Sequence, residues 1–146
     1  MGTVRILCGV SGSGKTTYAK SNFPGAQVVS ADHYFTKPEG YVFDPSKLPD
    51  AHAECLRRYV QLVSSGTPDI VVDNTDTRSL EIAPYSALAL AYGYALDIIV
   101  LKCDPALAHI LNVHDVPLLA IQAQAARIER LLRDCPPWWP LRVVYR

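Results

Sequence analysis

Eight residues, GVSGSGKT from Gly9 to Thr16, set two glycines, a lysine and a hydroxyl in the order G-x-x-x-x-G-K-[ST]. That order suits polyphosphate binding. Glycine lets the backbone curl until successive N–H groups face an anion, Lys15 adds positive charge for the β and γ phosphates, and the Thr16 hydroxyl is a Mg²⁺ ligand. Gly9, Ser11, Gly12, Ser13, Gly14, Lys15, Thr16 and Thr17 are therefore the candidate nucleotide-binding residues, and ATP with Mg²⁺ the expected cofactors. Two carboxylates stand at comparable junctions. Asp32, in VVSADHYF, ends an apolar run; it is either a general base for an acceptor hydroxyl or a carboxylate that caps the next turn. Asp73, in IVVDNTDT, stands where a Mg²⁺ shell or an acceptor would be steadied, or closes the turn before the next helix.

The elements that must hold these residues follow from the hydrophobic pattern. Short Val/Ile-rich runs at Val4–Cys8, Ala26–Ser30, Ile70–Asp73, Leu96–Cys103 and Arg142–Tyr145 read as five strands. Helix-length segments alternate with them at Lys15–Asn22, Pro49–Ser65, Pro84–Tyr92, Ala106–Leu111 and Pro117–Asp134, with Pro49, Pro84, Pro105 and Pro117 as first-turn residues. The alternation predicts an α/β domain of the doubly wound type, a five-stranded and mainly parallel sheet flanked by helices, with residues 1–146 as one domain. In such sheets the carboxyl ends of the strands line the ligand crevice, which is where the P-loop, Asp32 and Asp73 would meet. Thr36–Leu48 and Asn112–Val116 break the alternation and read as loops able to close over a site.

Composition removes several classes. Lys plus Arg equals Asp plus Glu at 14 each, so no global charge draws the chain to nucleic acid or membrane, and an anion needs a local site. Cys8, Cys55, Cys103 and Cys135 form no C-x-x-C pair and read as buried thiols in a reducing cytoplasm rather than a zinc site. The N-terminus lacks a signal-peptide pattern and no apolar run approaches the length of a membrane span, so a cytoplasmic location without membrane contact is expected. Asp50, His52 and Glu54, two apart, point to different faces of a helix and read as a polar helix start.

Taken in order, GVSGSGKTT, SADHYF, GYVFDPSKLPDAHAECLRR, IVVDNTDT, PYSALALAYGY and NVHDVPLLAIQAQAARIE resemble the P-loop kinases of the polynucleotide 5′-hydroxyl kinase type and their small stand-alone relatives, across nearly the whole chain. The resemblance implies a P-loop kinase domain with a lid at about 106–117. It also implies Asp32 as the base and an acceptor hydroxyl on nucleic acid or a nucleotide, either a 5′ end or a hydroxymethylated base in DNA such as some phage kinases modify. Host cytoplasm would then be the location if the chain is phage-encoded. Tyr34, Asn74 and His114, with Asp32 and Asp73, are the candidate acceptor residues, His114 alternatively being a local structural contact of its loop, and no protein partner can be inferred.

The chain also departs from that family. Relatives carry arginine just before the N-x-H segment of the lid, whereas this chain has Leu111. Arginines that stabilise transferring phosphoryl groups contribute about 10³–10⁵ in rate. Arg127 is the candidate replacement, with Arg130; their alternative is a solvated helix face. Phe35 stands where relatives hold the acceptor phosphate with a basic residue, and Tyr34, Phe35, Tyr41 and Phe43 offer stacking or simply pack the loop. Trp138 and Trp139 lie near the expected adenine region or form a surface plug. The expected activity is ATP-dependent phosphate transfer to a hydroxyl. The alternatives are a small-metabolite or sugar-nucleotide kinase and a nucleotide-binding adaptor without catalysis.

Overall fold

The computed structural model describes residues 2–146. Along the chain run β1 (Thr3–Gly9), α1 (Lys15–Asn22), β2 (Gln27–Val29), a 3₁₀ turn (Ala31–Phe35), β3 (Thr36–Lys37) and β4 (Gly40–Tyr41). A second 3₁₀ turn (Pro45–Lys47), α2 (Leu48–Ser64), β5 (Asp69–Asp73), α3 (Ser79–Ala91), β6 (Ala95–Lys102), α4 (Pro105–Leu111), α5 (Leu118–Asp134) and β7 (Leu141–Tyr145) complete the chain. The five expected strands form one sheet in the order β2-β5-β1-β6-β7, and every pairing in it is parallel. β1 is central, with Leu7 opposite Asp73 and Ile6 opposite Ile98.

Side chains alternate across the sheet, as extended backbone requires. Val4, Ile6, Cys8, Ile70, Val72, Ile98 and Val100 face the larger core, which α2, α3 and α5 cover. Leu7, Val71, Ile99 and Leu101 face the other side, where α1 supplies Ala19 and Tyr18. The helix α2 turns Ala51, Cys55, Tyr59 and Val63 inward at four-residue spacing, an apolar stripe of helical period. Among the described residues no helix is long and apolar enough to cross a membrane.

Two expectations are corrected. Pro84 does not open a helix: α3 starts at Ser79 and carries Pro84 in its interior. The start is fixed upstream because the Glu81 carboxylate accepts from the Arg78 N–H (3.0 Å) and the Thr77 hydroxyl (3.3 Å), satisfying a free amide of the first turn. A proline six residues in removes one helix hydrogen bond, which packing of Ile82, Tyr85 and Ala89 offsets. The segment Thr36–Leu48 is not a plain loop either. Pro38 and Gly40, the latter with φ +126°, close a tight hairpin between β3 and β4, and Tyr41 returns beside Thr36. Cys8 and Cys55 are buried thiols as read from sequence, whereas Cys103 and Cys135 are only half-buried.

Candidate active site

The phosphate loop leaves the end of β1 and enters α1. Gly9 N–H donates to Thr75 O (3.0 Å), Ser13 N–H donates to Val10 O (3.1 Å), and Gly12 and Gly14 take φ of +85° and +88°. Those angles are why glycine stands at both positions. Gly14 is the N-cap of α1, so the free amides of that helix open towards the loop. Lys15 Nζ folds back to donate to Gly9 O (3.0 Å) and Val10 O (3.1 Å). Burial pulls its pKa down, opposed by the charges of Asp73, Asp76 and Asp32. Thr16 Oγ1 donates to Asp73 Oδ2 at 2.8 Å across the β1–β5 edge.

This loop walls a cavity of about 400 Å³ that Ser11, Gly12, Gly14, Lys15, Thr16 and Thr17 share with Asp32, Asp73, His114 and Arg146. Gly12 also lies against α4, since a Cβ there would overlap Ala108 O. Gly12→Ala is therefore expected to lower stability by about 1–3 kcal/mol through the strained φ and the displaced helix. Urea unfolding checks this, and an unchanged midpoint would contradict the close approach.

Asp32 is held by the turn it sits in without capping it. Ser30 is the cap, its hydroxyl accepting from Asp32 N–H (3.2 Å), which leaves the Asp32 carboxylate free of that duty. One carboxylate oxygen accepts from Tyr41 O–H at 3.2 Å. Desolvation, joined by the charge of Asp32 and its hydrogen bond, pushes the Tyr41 phenol up to about 12. Tyr41 stacks on His114 with ring centroids 4.0 Å apart. Beyond Asp32 lies a second cavity of about 490 Å³, floored by Phe35, Tyr41, Phe43 and Val116. Asp32, Ser11, Asn74, Thr75 and His114 line both cavities, so the carboxylate stands at their junction.

Asn74 supports this junction from within. Its Oδ1 accepts from Ala31 N–H (2.8 Å), and its amide reaches Cys55 Sγ (3.6 Å), to which Tyr85 O–H also donates (3.3 Å). The turn bearing Asp32 is thus tied to the α2–α3 core. Asp76, three residues past Asp73, is 3% exposed, has φ +46°, and its Oδ2 has no hydrogen-bond partner among the described residues. Burial pushes its carboxyl well above the usual carboxylate range; Glu81 adds to this and Lys15 opposes it.

The unfolded chain releases that proton near pH ~4 and the folded chain only at higher pH. As pH rises between the two values the unfolded state binds fewer protons, so the native state loses stability. Asp76→Asn is expected to raise the thermal midpoint at about pH 8 and to change it little at about pH 4. Differential scanning calorimetry across that range checks it; a pH-independent difference would refute the titration.

Several sequence candidates land elsewhere. Arg127 does not reach the phosphate cavity: its Nε donates to Thr77 Oγ1 (3.0 Å), and with Arg130 it lines a separate cavity beside Arg78 and Asp134. Tyr34 packs edge-on against Phe35 and lines neither main cavity, while Phe35 is itself core at 3% exposure. Trp138 is exposed and Trp139 packs on the core. Among the described residues no group of three His, Cys, Asp or Glu could hold a metal, and His52 of the Asp50–Glu54 start lines the second cavity.

Two residues were missed. Gln124 of α5 accepts from Ser11 N–H (2.9 Å) and donates to Ser11 Oγ (3.2 Å), fastening the helix after the lid to the phosphate loop. Arg146 follows β7, its N–H donating to Lys102 O (2.8 Å), and a Cβ built on Gly14 would stand 2.7 Å from its guanidinium Nη2. Its side chain makes no ion pair among the described residues.

A family model described as an AAA domain matches residues 4–131. Human NEDD4-binding protein 2 is 32% identical over 92 residues, which is 61% of this chain and 5% of that protein, so the chain spans a small fraction of this curated relative. A sugar kinase from Janibacter sp. HTCC2649, solved unliganded, superposes with TM-score 0.64 at 19% identity, covering 99% of this chain and 86% of that one. A chain of the Pnkp1/Rnl/Hen1 RNA repair complex gives TM-score 0.68 at 16% identity, covering 90% of this chain and 45% of that one. At these identities the solved structures share the fold.

Proposed function

The chain belongs to the AAA domain family, and on that premise we propose that it is an ATP- and Mg²⁺-dependent kinase that transfers the γ-phosphoryl group to a hydroxyl on nucleic acid or a nucleotide. One observation carries the reading: Asp32 forms a wall common to the phosphate cavity and the aromatic cavity beyond it. A binding module has no use for a carboxylate between two ligand spaces, whereas phosphoryl transfer needs an acceptor oriented there with its proton removed.

The roles follow from the atoms present. The loop amides and Lys15, released from Gly9 O and Val10 O, hold the β and γ phosphates. Thr16 Oγ1 and Asp73 Oδ2 form a hard-oxygen pair suited to Mg²⁺, which keeps most of its waters and takes few protein ligands. When bound, Mg²⁺ neutralises charge developing on the phosphates. Asp32 accepts the acceptor proton and His114 with Tyr41 shapes the passage between cavities. Arg146, rather than Arg127, is the cation assigned to the transferring group, in place of the arginine absent at Leu111. α4 and the following loop act as the lid over Gly12.

Mass-resolved phosphate transfer from ATP tests the proposal with a 5′-hydroxyl oligonucleotide and a 5′-blocked duplex carrying hydroxymethyl pyrimidines. Phosphate on either supports it. Tight ATP binding with no phosphate on any hydroxyl acceptor would instead identify a nucleotide-binding adaptor.

A further inference from the structure

The cavity beside Arg127 plays no part in the phosphate transfer proposed above, and it shares no wall residue with the phosphate cavity or the aromatic one. It holds about 270 Å³ between the α5 face that carries Arg127, Arg130 and Asp134 and the turn before α3, Thr77 to Ser79. Three guanidinium groups, from Arg78, Arg127 and Arg130, line this one hollow against a single carboxylate. That carboxylate is taken: Asp134 pairs with Arg133 at 3.2 Å. Arg5, Arg57, Arg133 and Arg142 each meet a carboxylate, whereas Arg78, Arg127 and Arg130 meet none among the described residues. Like charges gathered round a hollow repel one another and raise the local potential, which an entering anion relieves.

Arg127 is set for such an anion. Its Nε donates to Thr77 Oγ1 at 3.0 Å, and Thr77, only 2% exposed, donates in turn to Glu81 Oε1 at 3.3 Å. One edge of the guanidinium is thereby fixed, while its two terminal nitrogens have no hydrogen-bond partner among the described residues. Held that way it offers paired N–H groups that match phosphate oxygens, with less side-chain entropy to lose on binding. Arg78 and Arg130 are exposed and free to close on a ligand arriving from solvent. Leu131 is the single apolar residue of the wall among the described residues, so a ring or acyl chain finds little surface there. The volume also lies below the ~300–1,000 Å³ of drug-sized ligand sites. The occupant is small and held by its charge.

We propose that this cavity is a second anion site, separate from the phosphate loop, that takes a phosphate dianion, either inorganic phosphate or the phosphate monoester of a small molecule. Three guanidinium charges less one carboxylate leave two positive charges on the wall, which a dianion balances. The bound phosphate bridges α5 to the turn before α3, the two elements that Arg127 and Thr77 already join.

Two-dimensional ¹H–¹⁵N NMR of the whole chain tests this, because the Arg127 Nε–H, engaged by Thr77, reports on this cavity and not on the phosphate loop. Inorganic phosphate, glycerol 3-phosphate and acetate are titrated separately at constant ionic strength and about pH 7, where a phosphate ester is close to a dianion. A saturable shift of that resonance is expected with a phosphate probe, and the backbone amides of Arg78 and Ser79 are expected to follow the same curve. Whichever phosphate probe binds more tightly tells free phosphate from a phosphorylated small molecule. Arg130→Gln keeps the reporter and is expected to weaken binding about tenfold, the worth of one charge-assisted hydrogen bond. Arg58→Gln, which removes an exposed arginine of α2 outside the cavity, is expected to change nothing. No shift, a shift that never saturates, acetate binding as tightly as phosphate, or equal weakening by Arg58→Gln would each overturn the inference. None of these readouts depends on phosphate transfer, so the kinase reading is tested apart from this site.

Discussion

Asp32→Asn is expected to lower the single-turnover rate of phosphate transfer about 10²–10⁴-fold while ATP affinity stays nearly constant. Asparagine has the same shape, and its Oδ1 still accepts from Tyr41 O–H, so the junction between the cavities keeps its geometry. The lost capacity is proton acceptance. Lys15, Thr16 and Asp73, which hold the nucleotide in the proposed mechanism, are untouched. Quench-flow transfer and calorimetric ATP binding measure the two quantities separately, and full activity in the variant would remove Asp32 as the base.

Arg146→Ala is expected to lower transfer about 10²–10³-fold, the cost of losing one preorganised donor to a developing charge. Its guanidinium stands beside Gly14, the first residue of the α1 cap, and shares the phosphate cavity with Lys15. Arg127→Ala is the control. That side chain is bonded to Thr77 in a different cavity, so its removal is expected to leave transfer unchanged. A large loss for Arg127 and none for Arg146 would restore the assignment made from sequence.

The contrast between these two arginines shows what sequence can carry. Arg127 is close in sequence to the lid segment that resembles P-loop kinases, so proximity along the chain recommended it. Arg146 lies far from the loop in sequence and reaches it only because β7 runs parallel to β6, so that its carboxyl end meets the same sheet edge as the end of β1. Strand order is not written in local pattern. The strands themselves were legible because Val/Ile runs of their length have few other uses, and the phosphate loop because its glycines are dictated by backbone angles. The β3–β4 hairpin was read as loop because its strands are two residues long and show no alternation. Pro84 misled because a proline's missing amide favours a first turn, while the Glu81 cap fixed the start earlier. Gln124 gave no local signal, since only packing brings α5 to Ser11.

The central position of β1 governs when the phosphate loop can take shape during synthesis. β1 is translated before both of its hydrogen-bonding neighbours, β5, ending at Asp73, and β6, ending at Lys102. Such sequence-distant pairing is slow, because loop closure must precede any contact energy. The nascent segment therefore exposes Val4, Ile6 and Leu7 until β5 and β6 have been translated. A fragment released before β6 is complete would carry the whole GVSGSGKT motif and still have no nucleotide site, and those unpaired strands would be the part most in need of a chaperone.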